Sequence, residues 1–358
     1  MKCRYAFPLL IGLLLSSCNQ KDDYNPPLSR CYVITFKDET GKVICYDFTL
    51  EGKIPSFNAI VPNNFNGFDK ELTPAFEYKT YVISYKDTLE PIYNGEEARV
   101  SSDGKSLTYG LYPQHNVRDT ALLEELNKLT ETSINGWYLY NGEYYCKEVA
   151  RPYFDYYMFD DLSPIIPGVA YWFKCEPIKW NILPSYDDNY YLLADKCLDA
   201  HMYDETNNIY ETSSIRSWLN NEFYNTAFSL NKNGIKEVYV DNSGPTTNFD
   251  DNPYATDYTP EKVFLLSYKD YRNTEYGFVD HNSYSEERYC RTTEYARVRG
   301  SRYSTTKIQY FFNAYYWSRS PSYSYYKSVC HPNADGKMMV AECSVTCGSV
   351  RPSIILDT

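Results

Sequence analysis

The sequence predicts an α+β protein in which a small β module precedes a larger domain of mixed helices and strands. Short runs rich in Tyr, Val and Ile recur along the chain between Gly, Asn, Asp and Pro residues, a pattern typical of strands and turns. Two longer segments instead carry apolar residues at helical spacing. The length of 358 residues is enough for about two domains.

The first residues have the pattern of a targeting segment. Two basic residues precede an apolar run over 6–15 that is too short to span a bilayer. Leu15-Ser-Ser-Cys18 follows directly and resembles the lipobox of bacterial lipoproteins. The resemblance implies a signal peptide over 1–17, cleavage before Cys18 and attachment of lipid to the Cys18 thiol. A plain secretory peptide is the alternative.

A polar tether is expected over 18–30. Its residues 19–23, Asn-Gln-Lys-Asp-Asp, resemble the surface-export signal of some Bacteroidetes lipoproteins, although a solvated tether explains them equally. The predicted location is therefore the bacterial cell envelope, outside the cytoplasm, with the membrane as a partner through lipidated Cys18. The export signal, if it acts, implies exposure on the outer-membrane surface.

Residues 31–88 are predicted to form the first folded unit. Strand-like runs at 32–36 and 43–48 flank a turn, and a third at 80–85 closes the unit. The run at 33–43 and the block Gly-Phe-Asp-Lys-Glu-Leu-Thr-Pro that ends at Pro74 resemble the internalin-type B repeat. That resemblance implies a small β-grasp-like module that acts as a spacer or an interaction surface.

Residues 101–358 are predicted to form the larger domain. A strand at 108–114 precedes a helix capped by Asp119 or Thr120, and Asn141-Gly142 marks the turn of a hairpin. A second helix follows a serine cap and covers 213–223. Further strands are expected at 171–183, as two strands folded at Pro177, and at 190–194, 236–240, 262–267, 310–312, 315–320, 337–340 and 349–356.

Six ordered blocks of the larger domain resemble a bacterial domain family of unknown function. The blocks are 109–114, 171–180, 214–224, 263–267, 316–321 and 349–352. That family looks like a branch of the C-type-lectin-like fold near the formylglycine-generating enzymes, and the resemblance covers about 101–357. It implies a compact domain whose variable loops present a binding surface, with no established activity.

Composition and motifs narrow the function. The net charge of −12 repels phosphate backbones, so nucleic acid is not an expected partner. The sequence contains no nucleophile elbow, no Gly-rich phosphate loop and no zinc-ligand spacing.

The catalytic candidates are Cys343 and Cys347. The formylglycine-generating relatives use a paired cysteine site near the C-terminal end, and these two residues lie in the corresponding region. Because they are four positions apart, their sulfurs meet only if a bulge or bend intervenes. Structural or free cysteines explain both residues as well.

A basic cluster supplies the ligand-binding candidates, Arg291, Arg297, Arg299 and Arg302. Guanidinium forks bind carboxylates and anionic sugars in a bidentate manner. The competing interpretation is internal pairing with the nearby acids Glu286, Glu287 and Glu294.

Two other sets of charged residues suggest a metal ion or an ion-pair partner. Asp241, Asp250 and Asp251 offer hard oxygen donors that suit calcium, although a solvated acidic loop explains them too, and no other cofactor is expected. Buried arginines within the last strands would need a carboxylate, for which Glu176 is the predicted partner; these arginines are Arg319 and Arg351.

The leading hypothesis is a lipid-anchored binding or adhesion protein whose ligand is a glycan, a peptide or a host protein. One alternative is an oxidoreductase of the formylglycine-generating type that uses Cys343 and Cys347. The other is a purely structural envelope lipoprotein.

Overall fold

The computed structural model describes residues 29–185 and 188–357. The predicted signal peptide, Cys18 and most of the tether lie outside the described residues. Within the described part the architecture is α+β, as predicted, with short helices among several sheets. No helix there has both the length and the apolar character needed to cross a membrane.

The strands are short, and several pair only as isolated ribbons. In chain order they are β1 (Cys31–Lys37), β2 (Val43–Leu50), β3 (Phe65–Phe68), β4 (Lys79–Tyr85), β5 (Arg99–Val100), β6 (Ser106–Asn116), β7 (Tyr138–Tyr140), β8 (Glu143–Val149), β9 (Ala170–Leu183), β10 (Tyr190–Ala194), β11 (Asp199–Ala200), β12 (Val238–Val240), β13 (Thr259–Glu261), β14 (Ser328–Pro332), β15 (Met338–Glu342), β16 (Ser349–Val350) and β17 (Ser353–Leu356).

The helices are α1 (Thr120–Leu126), α2 (Ser214–Trp218), α3 (Tyr224–Ala227) and α4 (Glu294–Val298). A π turn over Leu219–Phe223 joins α2 to α3, which confirms the predicted second helix. Its cap is Ser213, whose side chain accepts from the amide of Arg216, and Asp119 caps α1 in the same way through Leu122. Short 3-10 turns lie at Ile134–Gly136, Tyr210–Thr212, Gly244–Thr246, Asp270–Arg272, Thr274–Tyr276, Glu286–Arg288 and Ile308–Tyr310.

The first unit is a four-stranded sheet in the order β2-β1-β4-β3. β1 pairs antiparallel with β2 and parallel with β4. Ile34, Phe36, Cys45 and Tyr81 are buried on its inner face, because the side chains of each strand alternate between the two faces. The unit therefore has a small apolar core of its own.

The larger unit is built on a sheet in the order β17-β10-β9-β6-β5, with the β7–β8 hairpin attached to β9. That hairpin turns at Asn141-Gly142, as predicted, with φ of 49° and 82°. Trp180, Phe173 and Ile178 of β9 are fully buried in the main core. β9 is therefore the central element of this domain.

The prediction that residues 171–183 fold into two strands at Pro177 is wrong. β9 runs unbroken through Pro177 and pairs with β6 along most of its length. Its opposite edge pairs with β8 over Ala170–Lys174 and with β10 over Trp180–Leu183. Pro177 lies where that edge changes partner, so its missing N–H interrupts no ladder there.

Three other predicted strands are absent from the described structure as regular strands. The runs at 262–267, 310–312 and 315–320 make only isolated bridges, such as Phe264 with Ser353 and Tyr316 with Ser349. Most of their apolar side chains are buried. Their backbone N–H and C=O groups form hydrogen bonds with side chains or with single backbone groups of other segments. A short apolar run indicates burial and does not by itself indicate strand pairing.

The two units contact each other directly. The Tyr46 amide donates to the Asp160 carbonyl at 3.0 Å. The Phe48 ring lies 4.8 Å from that of Phe311, and Arg291 Nη1 lies 2.6 Å from Asp47 Oδ1. These contacts position the β1–β4 sheet over one edge of the larger domain.

Candidate functional site

A cleft of about 1030 Å³ lies between the two units. One wall comes from the β1–β4 unit, with Phe57 and Phe65, and the other from strands β6 and β9. Tyr93, Tyr289 and Phe311 add further aromatic surface. Pockets that bind organic ligands combine apolar walls with a few convergent polar groups, and this cleft has that composition.

Three ionisable side chains from neighbouring segments meet in the cleft. His115 Nδ1 of β6 lies 2.6 Å from Glu176 Oε2 of β9. Lys196 Nζ, just after β10, lies 3.4 Å from the other ring nitrogen, His115 Nε2. Since a carboxylate only accepts, the Nδ1–H group of His115 donates to Glu176, and the other ring nitrogen faces the ammonium group.

A bulge in β6 brings His115 onto this face. Tyr112 is opposite Glu176 and Pro113 is opposite Cys175, but His115, not Gln114, is opposite Lys174. One extra residue reverses the alternation of side chains along a strand. Gln114 Nε2 instead donates to the backbone carbonyl of Glu176 at 3.0 Å, so that this carbonyl has a hydrogen-bond partner at the bulge.

The surroundings keep Glu176 ionised. Burial raises the pKa of its carboxyl, but His115, Lys174 and Lys196 together lower it, and the net pKa lies below the usual value. Glu176 therefore pairs with His115, and the prediction that it partners a buried arginine is wrong. Arg319 instead pairs with Asp270 at 2.9 Å. Arg351 donates to the Ala194 carbonyl.

Lys196 is the cation of this set that is available to a ligand. Among the described residues no carboxylate lies within 4.0 Å of its ammonium group, which contacts His115. By contrast, Lys174 pairs with Glu143 at 2.6 Å. An ammonium group in a cleft that has no carboxylate partner can donate to an anionic or hydroxyl oxygen of a ligand.

A buried ion-pair network adjoins the cleft, to whose lining it contributes Asp47 and Arg291. Arg291 reaches Asp47 of the first unit at 2.6 Å and Asp160 of the second at 3.1 Å. Arg297, fully buried, contacts Asp160 at 3.0 Å. Burial opposes ionisation of Asp160, but the two guanidinium groups outweigh it and lower its pKa to about 2.

The four predicted arginine candidates therefore have different roles. Arg291 lines the cleft, and Arg297 is engaged in the core. Arg299 pairs with Asp199 at 3.1 Å and with Glu148 at 3.3 Å. Arg302 stacks on Tyr315 and has no acidic partner within 4.0 Å among the described residues.

Internal pairing thus explains three of the four arginines, but with other partners than predicted. Glu286 accepts from Ser29 Oγ, Glu287 accepts from Ser285 Oγ, and Glu294 pairs with Arg118. The acidic residues that lie nearest to these arginines in the sequence are therefore not their ion-pair partners in the structure.

The structure does not bring Cys343 and Cys347 into sulfur contact. Cys343 is buried in the main apolar core, whereas Cys347 lines a small pocket beside Arg302. Burial raises the pKa of both thiols. Two thiols that do approach each other are Cys197 and Cys290, with sulfurs 3.4 Å apart.

The calcium candidates lie in a loop that amide side chains hold together. Asp241 Oδ1 accepts from the amide of Ser243, and Asp250 and Asp251 are exposed. Across the described part of the chain, no three or more His, Cys, Asp or Glu side chains form a group that could hold a metal ion.

Sequence reasoning missed His115 and Lys196 as site residues. Neither has a motif, because they meet only when β6, β9 and β10 lie side by side. One available signal was Glu176 itself, a carboxylate in a strand with many large apolar residues, where a buried charge needs a cationic partner.

One comparison with known proteins gives a match. The family described as Domain of unknown function (DUF6273) matches residues 187–358, just under half of the chain. This range contains Lys196 and Arg302 but neither His115 nor Glu176. No curated protein and no solved structure matches the chain.

Proposed function

We propose that this chain is a lipid-anchored binding protein of the bacterial cell envelope whose ligand occupies the cleft between the two units. The observation that carries the proposal is the cleft itself, whose lining combines aromatic rings with the Lys196–His115–Glu176 set. Its volume of about 1030 Å³ suits a short stretch of glycan or peptide better than a single small metabolite.

The charges of the cleft support a neutral or anionic ligand. Its lining contains five acidic and six basic side chains, whereas the whole chain has a net charge of −12. An anionic ligand is therefore repelled less at the cleft than the net charge of the whole chain implies. Sugars and peptides both offer the hydroxyl, amide and carboxylate groups that such a lining can bind.

The finer fold assignment is part of the same proposal. In it, the β1–β4 unit is a β-grasp-like module and the larger unit is a C-type-lectin-like domain. The central parallel β1–β4 pair and the small core of the first unit support a self-contained module. The module then forms one wall of the ligand cleft as well as a spacer from the membrane.

Glycan and peptide arrays probed with the full-length mature protein test the binding function. We expect binding to one of the two classes, with weaker binding by Lys196→Gln because the cleft loses its available cation. The matched control is Lys128→Gln, an exposed lysine paired with Glu125 on α1, which should bind like the wild type. Absence of array binding would favour the structural alternative, whereas equal binding by both variants would contradict the assignment of the ligand to the cleft.

Membrane fractionation tests the anchor separately. Cys18→Ser removes the thiol that lipid would modify, and the protein should then leave the membrane fraction. Retention of the Cys18→Ser variant in that fraction would contradict lipid anchoring without affecting the cleft proposal.

A further inference from the structure

A second pocket, separate from the cleft, is centred on Arg302. It has a volume of about 240 Å³ and shares no lining residue with the cleft. Arg302, Tyr315, Trp317, His331 and Asn333 form its inner part. The two-stranded β14–β15 ribbon supplies His331 and, directly opposite it, the rim residue Met339.

The Arg302 guanidinium has no polar partner within the described protein. Its carbon Cζ lies 4.3 Å from the centroid of the Tyr315 ring and 5.8 Å from that of the Tyr153 ring. No ion pair or side-chain hydrogen bond engages its N–H groups in the described residues. Aromatic rings restrict a guanidinium by stacking on its face and leave the N–H edge open for a planar acceptor.

The pocket lining is unusual for this chain because it contains no Asp or Glu. The chain has 47 acidic residues and 35 basic residues, and the neighbouring candidates Arg297 and Arg299 are both paired with acids. An arginine surrounded by neutral residues keeps its full charge available for an anion from outside.

Two further groups complement an anionic ligand. Asn333 Oδ1 accepts from the amide of Ala334, and its NH₂ group has no protein partner in the described part of the chain. Met339 and Val340 are 39% and 48% exposed and form an apolar rim. The site thus combines one fixed cation, one amide donor and an apolar edge.

We propose that this pocket binds the carboxylate of a ligand, with Arg302 as the bidentate partner. A volume of about 240 Å³ is below the range of roughly 300–1000 Å³ typical of whole drug-sized ligands, so the pocket suits one residue of a larger molecule. The carboxylate could come from an acidic sugar or from a peptide C-terminus. Both present the same planar oxygen pair to the guanidinium fork.

Calorimetric titration of the full-length mature protein tests the proposal with four probes. The probes are methyl glucuronide, the corresponding neutral methyl glucoside, an acetylated dipeptide acid and its amide. We expect at least one acid to bind and its neutral counterpart to bind roughly 10- to 100-fold more weakly, as for the loss of a charged hydrogen bond. Binding of the sugar acid or of the peptide acid identifies the source, and binding of neither overturns the proposal.

Variants assign the binding to Arg302. Arg302→Gln should reduce acid binding to the level of the neutral probe, whereas Lys128→Gln, which removes an exposed charge paired with Glu125 outside both pockets, should not. Val340→Glu places a carboxylate at the exposed rim and should weaken acid binding by competing for Arg302, with the arginine itself intact. Unchanged acid binding in both Arg302→Gln and Val340→Glu would contradict the assignment.

The outcome is distinguishable from that of the cleft proposal. Lys196→Gln should leave carboxylate binding at Arg302 unchanged, because the two sites share no lining residue. Loss of acid binding in Lys196→Gln together with normal binding in Arg302→Gln would move the carboxylate to the cleft and overturn the Arg302 assignment.

Discussion

At the scale of single residues, the charged side chains of this protein find partners far away in sequence. Arg291 meets Asp47 and Asp160 across 244 and 131 residues. Arg299 meets Asp199 across 100 residues. The basic cluster could be recognised in the sequence, but its acidic partners could not. Residues that meet only in the folded protein have no characteristic spacing in the sequence.

Asp160 is the residue on which this network depends most. We expect Asp160→Asn to lower the free energy of unfolding by about 3–5 kcal/mol, because it leaves buried Arg297 and largely buried Arg291 without a shared counterion. Urea unfolding at neutral pH measures the change. The exposed Asp87→Asn is the matched control and should change stability by less than about 0.5 kcal/mol.

The same residue gives the protein a predicted acid dependence. Folding lowers the pKa of Asp160 from its usual 3.8 to about 2, so its contribution is fully present above pH 4. It is lost as the pH falls from about 4 towards 2, where the unfolded chain binds the proton first. Stability measured across that window should fall less steeply in Asp160→Asn than in the wild type, and equal slopes would contradict this role.

At the scale of elements, bulges in β6 decide which side chains face the cleft. Residues Tyr109 and Gly110 form one bulge opposite Ile178, and Gln114 forms another. The hairpin and both long helical segments were predicted because their turn and cap residues are local signals. Bulges leave no comparable local signal, so the orientation of His115 could not be predicted.

Gly110 tests the first bulge. Its φ is 75°, and a Cβ there would lie 2.7 Å from the Phe228 ring and 2.9 Å from the Ala227 carbonyl oxygen. Gly104, with φ of 67° and open space around it, is the matched control for backbone strain alone. We expect Gly110→Ala to cost about 1–3 kcal/mol more than Gly104→Ala in denaturant unfolding. Equal costs would show that the helical segment moves aside without penalty.

At the scale of the whole molecule, the cleft exists because two units are held against each other. The contacts are an ion pair, a backbone hydrogen bond and a pair of tilted phenylalanine rings, which involve Arg291, Tyr46 and Phe48. The sequence predicted two units, a small module that acts as a spacer or an interaction surface and a larger domain. It did not predict that the first unit forms a wall of the site.

Hydrogen exchange at the Tyr46 amide reports on this contact, since that amide donates to the Asp160 carbonyl across the interface. Arg291→Met should lower its protection by roughly tenfold or more, because removal of one partner from a largely buried pair costs several kcal/mol. Amides in the centre of β9 should keep their protection. In the control variant Arg99→Met, Tyr46 should exchange as in the wild type, and the same result for Arg291→Met would show that the units dock without the ion pair.

The α+β class, the two main helical segments, the Asn-Gly hairpin and the burial of the apolar β9 residues could all be predicted from the sequence. These features follow from local periodicity, caps and turn residues, each of which acts over a few positions. The predicted lipid anchor at Cys18 is also local, and it stays a prediction because Cys18 lies outside the described residues.

The pairing of the charged side chains follows from the three-dimensional fold and could not be predicted from the sequence. The fold engaged Arg297 and Arg299 with buried acids and left Arg302 and Lys196 without carboxylates among the described residues. It also joined His115 to Glu176 by placing β6 beside β9. An ion pair forms only when two charged groups lie within a few ångströms of each other. The number of residues between them in the sequence does not predict that distance when it exceeds a hundred.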